Sequence, residues 1–355
     1  VISSFITQDI YASTVKYASL VFFICLCIMS LPYLKDSFIN KDPDLFAAAA
    51  AAAVAMINLV LLHSHKGAVL IPTDMALSYY VARRISLPEK TIRYLAFAGS
   101  ALLISWYGIV KWDYNFNMFG LTLLIMTVTA VIFLEDIKWE YGLDYLKYIQ
   151  ALLWTVSFLY TTLYHSRCGM GGMLVFGILM LFGRKIAGRK IIYTVMVWAV
   201  TLGSVIFTLF YMLLSSFGGN TKILYKNIFS GRQDIWTEIW NAFLKQPFTG
   251  IGSSYKLKSF DIFEVHNGLF DILAVHGIIV FILILFLLVR IMMDVREEAY
   301  KCGGVKLTAM AGLVAMLFTS FFENFFTVPP YSLYFFLLLA TALQDTDIRK
   351  NGDLI

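Results

Sequence analysis

Ten apolar runs, most near the ~20 residues needed to cross a bilayer, dominate this chain and leave it few ways to fold. They are Val15–Leu34, Leu45–Leu62, Ile92–Val110, Phe116–Leu134, Leu146–Tyr164, Cys168–Phe182, Ile191–Leu214, Asn267–Val289, Val305–Phe322 and Tyr331–Leu343. Hydrocarbon offers the backbone no hydrogen-bond partners, so lipid-exposed sheet edges and loops are excluded and the runs read as helices. Composition agrees. The 355 residues are 59% hydrophobic and 14% charged, against about 25% charged in a soluble domain. A water-soluble fold could not cover such a surface, so soluble, disordered and disulfide-rich secreted classes are excluded. The expectation is an all-α polytopic membrane protein, one integral domain over residues 1–355, with about 10–12 transmembrane helices. Val15–Leu34 lacks a small-residue cleavage pattern and reads as the first span.

Loop charge sets the expected orientation. Arg184, Lys185, Arg189 and Lys190 crowd one short loop, and Arg290, Arg296, Lys301 and Lys306 another. His63–Arg93 carries Lys66, Arg83, Arg84, Lys90 and Arg93. With ten spans all three fall on one side, which the positive-inside bias makes cytoplasmic, together with both termini. Gly67–Val81 is apolar but holds Pro72 and Asp74, and reads as a cytoplasmic-side or re-entrant helix. If it spans, the orientation of everything upstream reverses. The seven alanines Ala47–Ala53 form an apolar helix without chemistry. Net charge is +5, which in a membrane protein says little about nucleic acid, and no nucleic-acid partner is expected. Cys25, Cys27, Cys168 and Cys302 have no metal-site or disulfide spacing.

The opposite face holds a long loop, Ser215–Val265, in which six basic against four acidic residues leave a charge of +2. Positive charge on an outer face opposes the usual bias and suits an anionic ligand such as a lipid phosphate. Within the loop, Ile235, Trp236, Ile239, Trp240, Phe243 and Leu244 recur at helical spacing, with Asp234, Thr237, Glu238 and Asn241 opposite. This is an amphipathic helix ended by Pro247, read chiefly as an interfacial lid, with sugar stacking by Trp236 or Trp240 as the other reading. Arg232 precedes it. Arg167 starts a helix that descends through Gly169–Gly172, small residues that allow close packing. A guanidinium offers fixed donors suited to phosphate, but an arginine beside a span is costly unless paired or solvated. A snorkelling arginine is the bland reading of either one alone. His266 stands where the loop re-enters the membrane and could take a proton from a hydroxyl, although a lone histidine there is more often structural. His165 is a second outward histidine, beside Arg167, and His276 is expected to be packed. Asp234, Glu238 and Asp261 are alternative bases. No Walker or zinc motif is present.

In order the chain shows Ser166-Arg167, Ser230-Gly231-Arg232, Ile235-Trp236, Pro247-x-x-Gly250-x-Gly252, His266-Asn267-Gly268-Leu269 and Gly277. Over Leu163–Val289 this combination resembles the O-antigen ligase/polymerase superfamily, which includes Wzy-type polysaccharide polymerases and O-antigen ligases. It looks most like the capsule and exopolysaccharide polymerases. The resemblance implies a GT-C-like architecture and a metal-independent, inverting glycosyltransferase without a cofactor. The implied site of action is the outer face of the bacterial cytoplasmic membrane. The implied donor is a glycan on undecaprenyl diphosphate, with Arg167 and Arg232 holding the diphosphate and His266 activating the acceptor hydroxyl. Asn267, His165 and Trp236 join Arg167 and Arg232 as implied substrate-binding residues. Membrane lipids are partners, and a chain-length regulator and a flippase are partner classes the resemblance leaves open. A ligase acting on lipid A–core and a lipid-linked oligosaccharide transporter are the alternatives, although no inverted repeat is visible in the sequence.

Overall fold

The computed structural model describes residues 10–64, 67–85, 116–216, 222–223, 226–227, 231–252, 255–258, 265–325 and 329–344. Its helices are α1 (Ile10–Ile39), α2 (Pro43–Leu61), α3 (Gly67–Ala82), α4 (Phe116–Tyr141), α5 (Leu146–Leu163), α6 (Arg167–Gly188) and α7 (Lys190–Val200). Then follow α8 (Leu202–Ser216), α9 (Arg232–Phe243), α10 (Gly268–His276), α11 (Ile278–Cys302), α12 (Gly304–Thr319) and α13 (Pro329–Leu343). A two-residue ladder, Lys222–Ile223 against Lys226–Asn227, lies in the long loop. Among the described residues, Leu20–Ile39 of α1, together with α2, α4, α6 and α11, makes five helices long and apolar enough to cross a membrane. The pair α7–α8, bent by 46°, makes a sixth span if counted as one. Val69–Ala82, α12 and Tyr331–Leu343 are shorter apolar helices. The chain is thus an all-α polytopic membrane protein. The expected run Ile92–Val110 lies outside the described residues.

Local chemistry explains the boundaries. Asp42 caps α2, accepting from the Asp44 N–H at 2.9 Å, with Pro43 in the first turn. Ser166 caps α6, accepting from the Gly169 N–H at 3.1 Å. The run Ile191–Leu214 bends at Thr201, whose hydroxyl donates back to the Val197 carbonyl at 2.7 Å. Such back-bonding competes with the helical ladder and bends it. The small residues of α6 do what their size suggests. A Cβ on Gly169 would lie 2.6 Å from Gly120 Cα of α4, and one on Gly172 would lie 2.8 Å from Thr319 of α12. In the alanine run, Ala48 and Ala51 pack beside Ala76 of α3 and Leu287 of α11.

The bundle has two chemically distinct ends. One is basic and holds the α6–α7 and α11–α12 turns. The other holds the long loop. Two expectations change here. At the basic end Asp44, at the start of α2, pairs with Arg83 at 3.1 Å and Arg290 at 2.9 Å. Arg84 pairs with Asp42, and Tyr80 donates to Ser37 of α1 at 2.7 Å. At the other end of α2, Ser64 donates to the Thr249 carbonyl of the long loop at 3.1 Å. So α2 and α3 run end to end in opposite directions. Gly67–Ala82 therefore runs from the loop end to the basic end of the bundle, and the described residues of His63–Arg93 do not all lie at one end, as the expectation had them. His63 and Ser64 are at the loop end, and Arg83 and Arg84 at the basic end. Helix α1 reaches the basic end with its C-terminus. Tyr331 meets Thr122 near the loop end of α4 at 3.2 Å, so α13 runs from there towards the basic end.

The second change concerns Asn267–Val289, expected as a single span. It is broken at Gly277 into the nine-residue α10 and the long α11. The motif Pro247-x-x-Gly250-x-Gly252 closes on that break. The Ile251 and Gly252 N–H groups donate to the Ala274 and Val275 carbonyls at 2.9 and 3.0 Å. The Ile278 N–H donates to the Pro247 carbonyl at 2.9 Å. Gly250 (φ 73°) and Gly277 (φ 88°) both sit in the left-handed region. A Cβ on Gly250 would fall 2.3 Å from the Val275 oxygen, and one on Gly277 2.1 Å from the Phe248 oxygen. Only glycine fits either position.

This arrangement predicts labelling from two sides. In a background free of native cysteines, His63→Cys should react with a membrane-impermeant maleimide from the same side as Lys245→Cys. Reaction of His63→Cys from the side that labels Lys190→Cys would contradict the antiparallel α2–α3 pair.

Candidate active site

Helix α9 lies across the loop end as an amphipathic lid. Its apolar residues Ile235, Trp236, Ile239 and Phe243 are buried against α8 and α10, and Leu244, expected on that face, is exposed just beyond the helix. Trp236 is 1% exposed, and its indole N–H donates to the Val265 carbonyl at 2.6 Å. It packs edge-on against Phe207, Tyr211 and Phe270. The Trp236 ring is thus part of the packing beneath the lid. Trp240 is half-buried and stacks on Phe243 and Phe270.

Packing the lid brings Arg232, at its first position, onto the turn after α12. Its guanidinium donates to the Phe322 carbonyl at 2.9 Å and to Glu323 Oε1 at 3.2 Å. His266 reaches the same carboxylate from the other side, with Nδ1 3.4 Å from Glu323 Oε2. Sequence reasoning did not single out Glu323, which is 5% exposed by side chain. Burial alone pushes its carboxyl up. The hydrogen bond and charge of His266, the charge of Arg232 and a hydrogen bond from Asn117 outweigh burial and hold it below the usual glutamate value. One signal could have found it. An arginine at a membrane boundary calls for a partner, and Glu323 is an acid in a turn on the same face.

The backbone around His266 is tightly specified. His266 has φ 52°, a left-handed conformation that is uncommon outside glycine and clusters at functional sites. Asn267 next to it is fully buried and caps α10, accepting from the Phe270 N–H at 3.0 Å. Its amide donates to Thr208 Oγ1 at 2.9 Å and to the Ser204 carbonyl at 3.2 Å, and its oxygen accepts from the Ser204 hydroxyl at 2.8 Å. The Gly268 N–H donates to the Ser320 carbonyl at 2.9 Å. Asn267 therefore holds His266 in place, and its amide is spent inside the protein.

Arg167 lies at the same end, at the first position of α6. Its neighbour Cys168 faces the Thr319 carbonyl at 3.8 Å, so α6 starts beside the turn that carries Glu323. His165 is exposed and, like His266, has φ 52°. His276 is buried at the end of α10, as expected. Of the alternative bases, Glu238 accepts from the Lys258 N–H at 2.7 Å and Asp234 is exposed in the first turn of α9. Asp261 lies outside the described residues. Among the described residues no three His, Cys, Asp or Glu side chains gather as a metal site.

Arg232 and His266 thus share one buried carboxylate beneath a lid, with Arg167 at the same end. Residues 150–285 match the O-antigen ligase family model. That match supports membership of the O-antigen ligase/polymerase superfamily and the general activity of a glycosyltransferase-like membrane enzyme. It runs from α5 into α11 and contains Arg167, Arg232 and His266, while Glu323 lies beyond it. No curated protein and no solved structure matches the chain.

A carboxyl held below its unfolded value stabilises the fold at neutral pH, and that contribution disappears as pH falls through the folded value. Glu323→Gln should therefore lower the thermal midpoint at pH 7 and differ progressively less from the native protein in acid. A difference independent of pH would mean that the charge of Glu323 does not hold the site together.

Proposed function

We propose that this protein is a polysaccharide polymerase of the O-antigen/capsule kind. It transfers a glycan from undecaprenyl diphosphate to the acceptor sugar of a lipid-linked repeat unit, on the outer face of the cytoplasmic membrane. The observation that carries the reading is the convergence of Arg232 and His266 on Glu323, in a chain matched to the O-antigen ligase family.

The chemistry is a displacement at the anomeric carbon. The acceptor oxygen forms the new bond to that carbon. The bond from the anomeric carbon to the diphosphate oxygen breaks, and its electron pair leaves with the diphosphate. Arg167 and Arg232 place guanidinium groups where that negative charge gathers, which is worth most at a site shielded from water. The hydroxyl proton passes to His266. With Nδ1 directed at Glu323, Nε2 is the ring atom that takes it, and the carboxylate both orients the ring and stabilises the imidazolium that forms. Attack in one step inverts the anomeric carbon. Trp236 and Asn267 then serve the reaction by fixing the lid and the His266 backbone. His165 lies beside the incoming diphosphate next to Arg167.

The description of the matching family favours a second reading, a ligase whose acceptor is lipid A–core. Purified protein in nanodiscs, given an undecaprenyl diphosphate repeat unit, separates the two. A ladder of products is expected, unchanged by EDTA. His266→Ala should lower its rate by about 10²–10⁴-fold, the usual contribution of a general base. Arg167→Ala and Arg232→Ala should also abolish the ladder. A single product appearing only with lipid A–core would replace polymerase by ligase. Binding without any transfer would favour a transporter.

A further inference from the structure

A second acid lies just behind the site. Asp271, in the first turn of α10, is 6% exposed and has no salt bridge among the described residues. The Asn324 amide donates to its Oδ2 at 2.7 Å. Asn324 directly follows Glu323, and its own carbonyl oxygen is buried without a hydrogen-bond donor. A buried acceptor left unpaired costs about 1–3 kcal/mol, and an isolated buried carboxylate costs more. One proton relieves both. A neutral Asp271 can donate its O–H to the Asn324 oxygen while accepting from the Asn324 amide, which closes a cyclic acid–amide pair.

We propose that Asp271 is a positioning residue that works as a neutral acid, locking Asn324, and with it the Glu323 turn, through two hydrogen bonds. The inference deepens the site reading above and rests on it for its functional consequence. The surroundings favour the neutral form. Helix α8 brings no charged group, only the Tyr211 phenol, and α11 brings none before Arg290. Helix α9 brings Arg232, Asp234 and Glu238, but Arg232 is committed to Glu323. The α12–α13 turn adds the negative charge of Glu323, which opposes a second carboxylate nearby. On its own chain segment Asp271 has His266 before it and His276 at the helix end. Burial pushes the Asp271 carboxyl up to about 7, with the Asn324 hydrogen bond acting against it. Its ionisation thus falls in the working range, and a raised carboxyl stabilises the fold in acid and ceases to do so as pH rises through neutrality. The two acids are driven opposite ways. Arg232 and His266 favour the charged form of Glu323, and burial favours the neutral form of Asp271.

Asp271→Asn tests this, because an asparagine reproduces both hydrogen bonds and cannot ionise. The native enzyme should lose transfer as pH rises through neutrality, while Asp271→Asn should keep near-native activity at neutral pH and lose that alkaline decline. Asp271→Ala should be impaired at every pH. Infrared titration of the full-length protein supplies a readout independent of transfer. The native protein should show a protonated-carboxyl C=O band that titrates near neutrality, and Asp271→Asn should lack it. The band reports the proton even if the transferase reading fails, so the two failures are distinguishable. Absence of the band, or a well-folded but inactive Asp271→Asn, or an identical alkaline decline in both proteins, would overturn the proposal.

Discussion

A carboxylate almost sealed from water survives at a membrane boundary only if cations and donors surround it. Glu323 meets that condition by drawing on separate parts of the chain. Arg232 comes from the lid helix α9, His266 from the chain entering α10, and Asn117 from the first turn of α4. The turn that carries Glu323 also supplies the Phe322 carbonyl to Arg232 and the Ser320 carbonyl to the Gly268 N–H. Those contacts fix the lid helix and the start of α10 to one turn. Without the acid, the Arg232 guanidinium and the His266 imidazole would lose the partner they share beneath the lid. With it, they become a site of fixed geometry.

The remaining loop contacts serve the same geometry at a distance. The Pro247–Gly252 turn closes on the break between α10 and α11, where Gly250 and Gly277 let two backbones touch. Ser64 ties α2 to that turn. At the other end of the bundle, Asp42 and Asp44 gather Arg83, Arg84 and Arg290. The α2–α3 hairpin is therefore pinned at both ends and braces α11, from whose start the α10 helix and His266 project.

Much of this was legible in residues one by one. The apolar runs and their short basic turns gave helices close to those observed, because hydrocarbon permits little else. The period of Ile235, Trp236, Ile239 and Phe243 identified the lid and its buried face. Arg232 and His266 were found because charge at a membrane boundary is expensive enough to need a reason. The rest depended on contacts remote in sequence. Gly67–Val81 looked interrupted by Pro72 and Asp74, yet the helix carries Arg83 and Arg84 to Asp44 and Asp42, at the opposite end of α2 from Ser64. Gly277 fell within the expected run Asn267–Val289, and its need for a positive φ shows only in the approach of Phe248. Asn267 looked available for substrate, and only Ser204 and Thr208 of α8 show where its amide is spent. Glu323 carried no local pattern, and its meaning lies in Arg232 and His266, which fold onto it.

Whether Glu323 and His266 act as one unit is measured most directly by a double-mutant cycle on glycan transfer, using Glu323→Gln, His266→Ala and the pair. If the carboxylate works through the imidazole, the double variant should be no slower than His266→Ala alone. Losses that multiply would show two independent groups and contradict the shared site.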